Sequence, residues 1–322
     1  MRIMIWLILL PHLLLGQPTS LPRYAIAELP SHSRAISMGG AGIASASGNQ
    51  QLNGNIGKTV FTPHIHQATL TYLPWLRSLF NDTKFMRVDY LQTVGESATL
   101  GFDLNYLDLG NLTLRDNNGA SLSIHPNYQF TVGSSVGIRP GDHSGIGLGL
   151  NWLSAKEFDS GFPTTANTVS GDLHFYHFIK LANPTQQIQW GIALNHLTAS
   201  SNQMSTAGIG VAYQSQHENT DQWTLSLDMK RSLFERSSLL QFSLGSEYVF
   251  AEQFFLRSGF AWESIRSGNR KMISMGAGYK GFFMDQSMYL DVHYLVPLGS
   301  VVLSPFEHGY GLTLGINIGN FQ

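Results

Sequence analysis

Residues Gly311–Phe321 read GLTLGINIGNF, and the fold turns on this stretch. Leu312, Leu314, Ile316 and Ile318 fall on one side of an extended chain. Gly311, Thr313, Gly315, Asn317 and Gly319 fall on the other. Side chains alternate across a strand, so this strand has one apolar face and one small, polar face. The same alternation recurs with glycine on the polar side. Ile146, Leu148, Leu150 and Trp152 oppose Gly145, Gly147, Gly149 and Asn151. Trp223, Leu225, Leu227 and Met229 oppose Thr224, Ser226, Asp228 and Lys230. Leu240, Phe242, Leu244 and Tyr248 oppose Gln241, Ser243, Gly245 and Glu247. A wall that is apolar outside and neutral and polar inside is the pattern of a transmembrane β-barrel.

From Gln67 onward the alternation marks fourteen candidate strands, each near the 9–11 residues of a tilted membrane strand, and the pattern alone also accommodates twelve or sixteen. The predicted connections alternate in length. Gly95-Glu96, 139–144, 182–186, 216–221, Ala251-Glu252 and 281–286 are short, while 74–83, 108–126, 156–169 and 297–308 are longer. Short turns on one side and longer loops on the other are the habit of outer-membrane barrels. An even strand number predicts both termini in the periplasm and the long loops outside, where function concentrates. The expected fold class is therefore all-β: a transmembrane antiparallel barrel of 14 strands spanning residues 64–322.

Composition agrees. Of 322 residues 33 are Gly and none is Cys, and the formal charge is −2. Charged residues make up 12%, about half the roughly 25% of a soluble domain. Near-neutral charge without basic runs argues against a nucleic-acid partner. At the N-terminus Arg2, the apolar Ile3–Leu10 and Leu13–Leu15, and the small Gly16 predict a secretory signal over residues 1–16. Pro11 interrupts that apolar run, which is shorter than the ~20 residues of a membrane helix. With no other segment apolar enough for a helix, an integral protein must be a closed barrel.

Residues 17–63 lack strand alternation. Met38, Gly39, Gly40 and Gly42 lie in a run of small residues, Ser37 to Ala44, with no strand and helix around it to make a phosphate loop. The expectation is a compact N-terminal segment tucked into the periplasmic mouth, glycine letting backbone approach the wall.

Candidate chemistry is sparse. His64 and His66 share a strand face, whereas His174 and His177 do not, and no carboxylate or Cys supports a metal set. No nucleophile stands with a base, so neither an enzyme nor a cofactor is expected. Arg87, Asp89, Asp103, Asp172, Asp228, Lys230, Glu247, Arg257 and Asp291 fall on the predicted inner face. Arg or Lys facing lipid at mid-depth would cost about 2–4 kcal/mol. Their expected role is to pair and fill the lumen. The inward glycines leave room there for water, the N-terminal segment or a ligand.

The first outer connection holds Trp75, Leu76, Arg77, Leu79 and Phe80. Large apolar side chains in a loop mark an interaction site, and an arginine among them is common at interface hot spots; the equal alternative is an aromatic-girdle residue with the loop folded over the barrel mouth.

Several stretches carry a family resemblance. They are Arg34 to Gly42, Leu70 to Asp82 (LTYLPWLRSLFND), Leu107 to Asn127 (LDLGNLTLRDNNGASLSIHPN), Gln241 to Tyr248 (QFSLGSEY) and Asn269 to Gly299. Together they resemble PorV, the outer-membrane barrel of the type IX secretion system, with PorQ a near neighbour. The resemblance implies a FadL-like fold with fourteen strands and an N-terminal hatch. Where the family has Asn-Pro-Ala in that hatch, this chain has Asn55-Ile56-Gly57, and 156–236 matches poorly. The resemblance implies a non-enzymatic role in a Gram-negative outer membrane. Such a protein collects cargo with C-terminal targeting domains at the translocon barrel and carries it to the attachment complex that contains PorU. The alternative is a FadL-like transporter of hydrophobic small molecules such as long-chain fatty acids.

Overall fold

A computed structural model describes residues 25–29, 32–45, 52, 54–74, 83–115, 121–159, 162–198, 205–217, 221–233, 240–263, 271–284, 286–298 and 309–320. The predicted signal, residues 1–16, and the loop residues Trp75, Leu76, Arg77, Leu79 and Phe80 lie outside them.

Fourteen strands follow in chain order. They are β1 His64–Pro74, β2 Lys84–Val94, β3 Ala98–Arg115, β4 Ser121–Gly141, β5 Ser144–Asp159, β6 Phe162–Lys180 and β7 Gln186–Leu197. The remainder are β8 Thr206–Gln216, β9 Gln222–Ser232, β10 Leu240–Phe250, β11 Phe254–Glu263, β12 Met272–Phe283, β13 Gln286–Pro297 and β14 Tyr310–Asn320. Each strand pairs antiparallel with its sequence neighbour, and β1 pairs with β14 to close the barrel. At that seam Ala68 faces Ile316 and Thr71 faces Thr313. The Thr71 and Thr313 hydroxyls meet at 2.9 Å on the inner side. Closure leaves no unpaired sheet edge, which a bilayer would not tolerate.

The two faces divide as the alternation predicts. Along β9, Thr224, Ser226 and Asp228 are buried while Trp223, Leu225, Leu227 and Met229 are exposed. Along β14, Gly311, Thr313, Gly315 and Asn317 are buried; Leu314 and Ile318 are exposed, and Leu312 and Ile316 partly so. Leu150 is 59% and Leu256 62% exposed. An apolar belt this exposed around every side is intelligible only if lipid covers it.

The ends of some strands lie elsewhere than expected. β1 begins at His64 rather than Gln67, and the connections expected over 108–126 and 156–169 are largely sheet. β3 and β4 stay paired to Arg115 and Ser121, with a register shift between Asp108 and Asn111. β5 and β6 stay paired to Asp159 and Phe162. These two hairpins raise the wall at the end that carries the long connections. At the other end the turns are tight. Ala251 and Glu252 have φ of 52° and 58°, and the Gln253 N–H donates to the Phe250 carbonyl over 3.1 Å. That is a type I′ turn, whose twist suits a hairpin although neither residue is glycine.

Before β1 come a 3₁₀ turn Ala25–Glu28, the short helix α1 Ser33–Ser37, and a 3₁₀ turn Ile56–Phe61. His32 to Ser45 and Asn55 to Val60 are buried, and they pack on the inner faces of the strands.

Candidate functional site

Among the described residues, the buried charges gather in the bore. Its inner wall supplies the space. A Cβ on Gly259 would stand 2.1 Å from the Gly39 nitrogen, and one on Gly145 would stand 1.9 Å from the Gly57 oxygen. Glycine at these two wall positions is therefore what lets another backbone lie flat against the sheet. Gly245 likewise faces Met38, and Gly276 faces Ser37. Gly245 and Gly259 sit midway along β10 and β11, so the N-terminal segment runs past the mouth and deep into the bore.

Two charged chains hold α1. On one side Glu247 accepts from Arg34 through both oxygens, with Nε–Oε2 and Nη2–Oε1 each 3.0 Å. Arg257 donates to the same Glu247 Oε2 over 2.6 Å and to Asp291 with its Nη1. The order Arg34, Glu247, Arg257, Asp291 alternates in sign, so each buried charge has an opposite neighbour. Buried ions persist only under that condition. On another side His32 Nε2 meets Asp89 Oδ2 at 2.7 Å. Asp89 also accepts from Arg87 Nε at 2.7 Å and from the Thr69 hydroxyl at 2.9 Å. Arg87 goes on to Asn105 at 2.9 Å and Asp103 at 3.8 Å.

The glycine run is held by β9. Asp228 Oδ2 accepts from the N–H groups of Gly42 and Ile43 at 2.7 and 2.9 Å. Lys230 Nζ donates to the Gly40 carbonyl at 3.1 Å. From inside the segment, Lys58 Nζ donates to the carbonyls of Gly42 and of Ser45. Lys58 is 2% exposed. Burial first, and the Arg34 guanidinium second, pull its ammonium from the usual lysine range down to about 7. Asp228 works against that pull, and Lys230 adds to it.

Asn55 fixes the last piece. Its Oδ1 accepts from Gly57 N–H at 2.9 Å, capping the 3₁₀ turn, and its Nδ2 donates to the Phe175 carbonyl at 2.8 Å. The next amide, Ile56, donates to His174 Nδ1 at 2.9 Å, and His174 Nε2 meets Asn195 Oδ1 at 2.8 Å. With Nδ1 accepting, the proton sits on Nε2 and the ring is neutral. His174 is thus bound up in docking the segment.

The structure therefore places every candidate bore charge, Arg87, Asp89, Asp103, Asp172, Asp228, Lys230, Glu247, Arg257 and Asp291, on the inner wall. It brings Met38, Gly39, Gly40 and Asn55 against that wall, and Gly42 reaches it through its amide on Asp228. Sequence inspection missed His32, Arg34 and Lys58 as residues with a role. Their signal was available: three cationic or ionisable residues in a stretch otherwise built of small residues, facing a wall with a surplus of acids.

Toward the end with the long connections, the bore opens into a cavity of about 230 Å³ lined by both polar and apolar side chains. Gly40, Gly42, Leu52, Gly54 and Ile56 form its floor.

Residues 19–170, just under half of the 322, match the family model described as "Type IX secretion system protein PorV". The stretches Arg34–Gly42, Leu70–Asp82 and Leu107–Asn127 fall inside that match. Among curated proteins no significant match is found. In fold the chain is similar to a FadL homologue from Pseudomonas aeruginosa, with TM-score 0.51 and 9% identity over 94% of this chain and 98% of that one. It is also similar to the Pseudomonas putida toluene transporter TodX, at 0.56 and 12% over 89% and 97%. The monoaromatic hydrocarbon channel CymD is a third, at 0.57 and 10% over 90% and 98%. At such identities the likeness is one of fold. The chain is thus a closed β-barrel with a FadL-like fold, and its residues 19–170 match the PorV model.

Proposed function

We propose that this barrel serves type IX secretion without catalysing a reaction: it captures cargo through C-terminal targeting domains and passes it from the translocon barrel to PorU-type subunits of the attachment complex. The observation that carries this is the PorV match over residues 19–170. The filled bore supports it. Glu247, Asp89 and Asp228 each bind the N-terminal segment, so the wall is committed to a resident chain rather than to a passing solute. On this proposal residues 1–16 are a secretory signal, residues 17–63 are the hatch, both termini lie in the periplasm, and the long connections face outward from a Gram-negative cell.

The alternative, conduction of hydrophobic small molecules, draws on the fold shared with TodX and CymD. The cavity speaks against it. Although Ile26, Leu29, Phe85 and Met272 contribute apolar surface, Arg87, Asp103, Asn105, Asn151 and Asp172 also line it, and desolvating such groups against a hydrocarbon without new hydrogen bonds is costly.

The loop bearing Trp75, Leu76, Arg77, Leu79 and Phe80 is the proposed grip on the partner. A tagged full-length chain should co-purify with a translocon barrel and with proteins that bear targeting domains. Trp75→Ala with Leu79→Ala should keep heat-modifiable gel mobility yet lose that recovery, at roughly 2 kcal/mol or more per anchor. Equal recovery by a folded double variant would remove the loop from the account. Absence of both partners from the parent's eluate would remove the function.

A further inference from the structure

One carboxylate in the cavity has no use in the scheme above. Asp172 on β6 accepts from Asn151 Nδ2 at 2.6 Å and from the His196 N–H at 2.7 Å, both neutral donors. Among the described residues it has no cation within salt-bridge distance, whereas Asp89, Asp103, Glu247 and Asp291 each have one.

The surroundings form a continuous polar row. Gly171 faces Leu197 and Leu173 faces Leu194, so β7 carries one extra residue opposite Asp172. This bulge puts His196 at φ 54° and turns its amide onto the carboxylate. In register with it, Asn195 faces Thr206, and Thr206 faces Ser232. On the other flank a Cβ at Gly133 would stand 2.3 Å from Asp103 Oδ1 and 2.7 Å from Asn151 Oδ1, so glycine there brings those two side chains together. Asp172, His196, Thr206 and Ser232 all line the cavity. Among the described residues, two atoms along the row have no hydrogen-bond partner: Ser232 Oγ, on a residue 4% exposed, and His196 Nδ1. Orphaned polar atoms this deep call for a missing partner.

From this geometry we infer that the cavity is a binding site for an elongated polar ligand with one ammonium or guanidinium group. The cation sits on Asp172, and the ligand's hydrogen-bonding tail runs along the row to Ser232. Three strand spacings separate β6 from β9, roughly 14 Å along the wall, which suits an extended molecule rather than a bare ion. Gly40 and Gly42 form part of the floor, so the ligand also touches the N-terminal segment. The inference does not depend on the secretion role.

The probe is argininamide, with citrulline amide as its neutral counterpart, titrated calorimetrically into the full-length protein in detergent. Parent protein should bind argininamide saturably and at least about ten-fold more tightly than citrulline amide, as a charge-assisted contact requires. Asp172→Asn should erase that preference, and Ser232→Ala should weaken both probes while keeping it. Equal binding of the two probes by the parent, or no saturable binding of argininamide, overturns the inference. So does an unaltered preference in a folded Asp172→Asn variant. If that variant does not fold, the two probes on parent protein still decide the matter.

Discussion

Glu247 receives two guanidinium groups, Arg257 from the neighbouring strand and Arg34 from the segment inside. Arg34→Gln leaves Glu247 with half its compensation in a site that is closed to water. Breaking a buried pair from one side costs about 3–5 kcal/mol, much of it for the stranded charge. Because Arg257 remains, the lower figure applies, and the loss should fall on the docking of α1. Amide hydrogen exchange across Ile36 to Gly42 should accelerate by about a hundred-fold, since each 1.4 kcal/mol is a factor of ten. Unchanged protection would mean that the arginine is incidental. Lys58 adds a pH dependence. Its folded value near 7 lies below the ordinary lysine value. Below pH 7 both folded and unfolded forms are charged, and the cost of burying the ammonium is fully present. As pH rises from about 7 to about 10.5 the folded form sheds its proton first, so docking strengthens. A neutral amine keeps two N–H groups, enough for the Gly42 and Ser45 carbonyls. Lys58→Met should flatten this rise. The same exchange measurement at pH 7 and pH 9 on both proteins checks it, and identical slopes would refute it.

At the scale of the strand, one residue of slip would reverse every side chain. Cys introduced at Leu225, Leu227, Leu314 or Ile316 should react only with a lipid-soluble thiol reagent. Cys at Ser226, Asp228, Thr313 or Asn317 should react with neither class until the N-terminal segment is displaced, because these positions are buried beneath it or against the wall. Reaction of both sets with one reagent would sink the assignment. The strands were legible because lipid on one face and a polar bore on the other impose a period of two. The extra lengths of β3 to β6 were not. Beyond the bilayer no apolar face is needed, and the ladder is held by backbone hydrogen bonds that leave no mark in side-chain pattern. Pro126 and Pro163 also read as loop residues, yet both keep register partners, Asn111 and Phe158. The bulge at Asn195 and His196 was hidden for a related reason, since an inserted residue shifts the alternation by one within a polar run.

For the molecule as a whole, the inward glycines announced a space but not its occupant. Arg34 and Glu247 are 213 positions apart, as close pairing across a closed barrel allows, and no local pattern connects them. The family resemblance offered the N-terminal segment as one occupant among several, but the pairs that hold it could be learned only from the fold. The filling in turn directs attention to the end with the long connections, where β3 to β6 extend the wall and where a protein partner would meet it. The most direct test is to titrate a purified C-terminal targeting domain, taken from a secreted protein of the same cells, into the full-length barrel in detergent. Saturable binding at one domain per barrel, undiminished by excess toluene or fatty acid, is the predicted result. No binding of the domain, together with hydrocarbon or fatty-acid uptake that is lost on deleting the gene, would contradict the account.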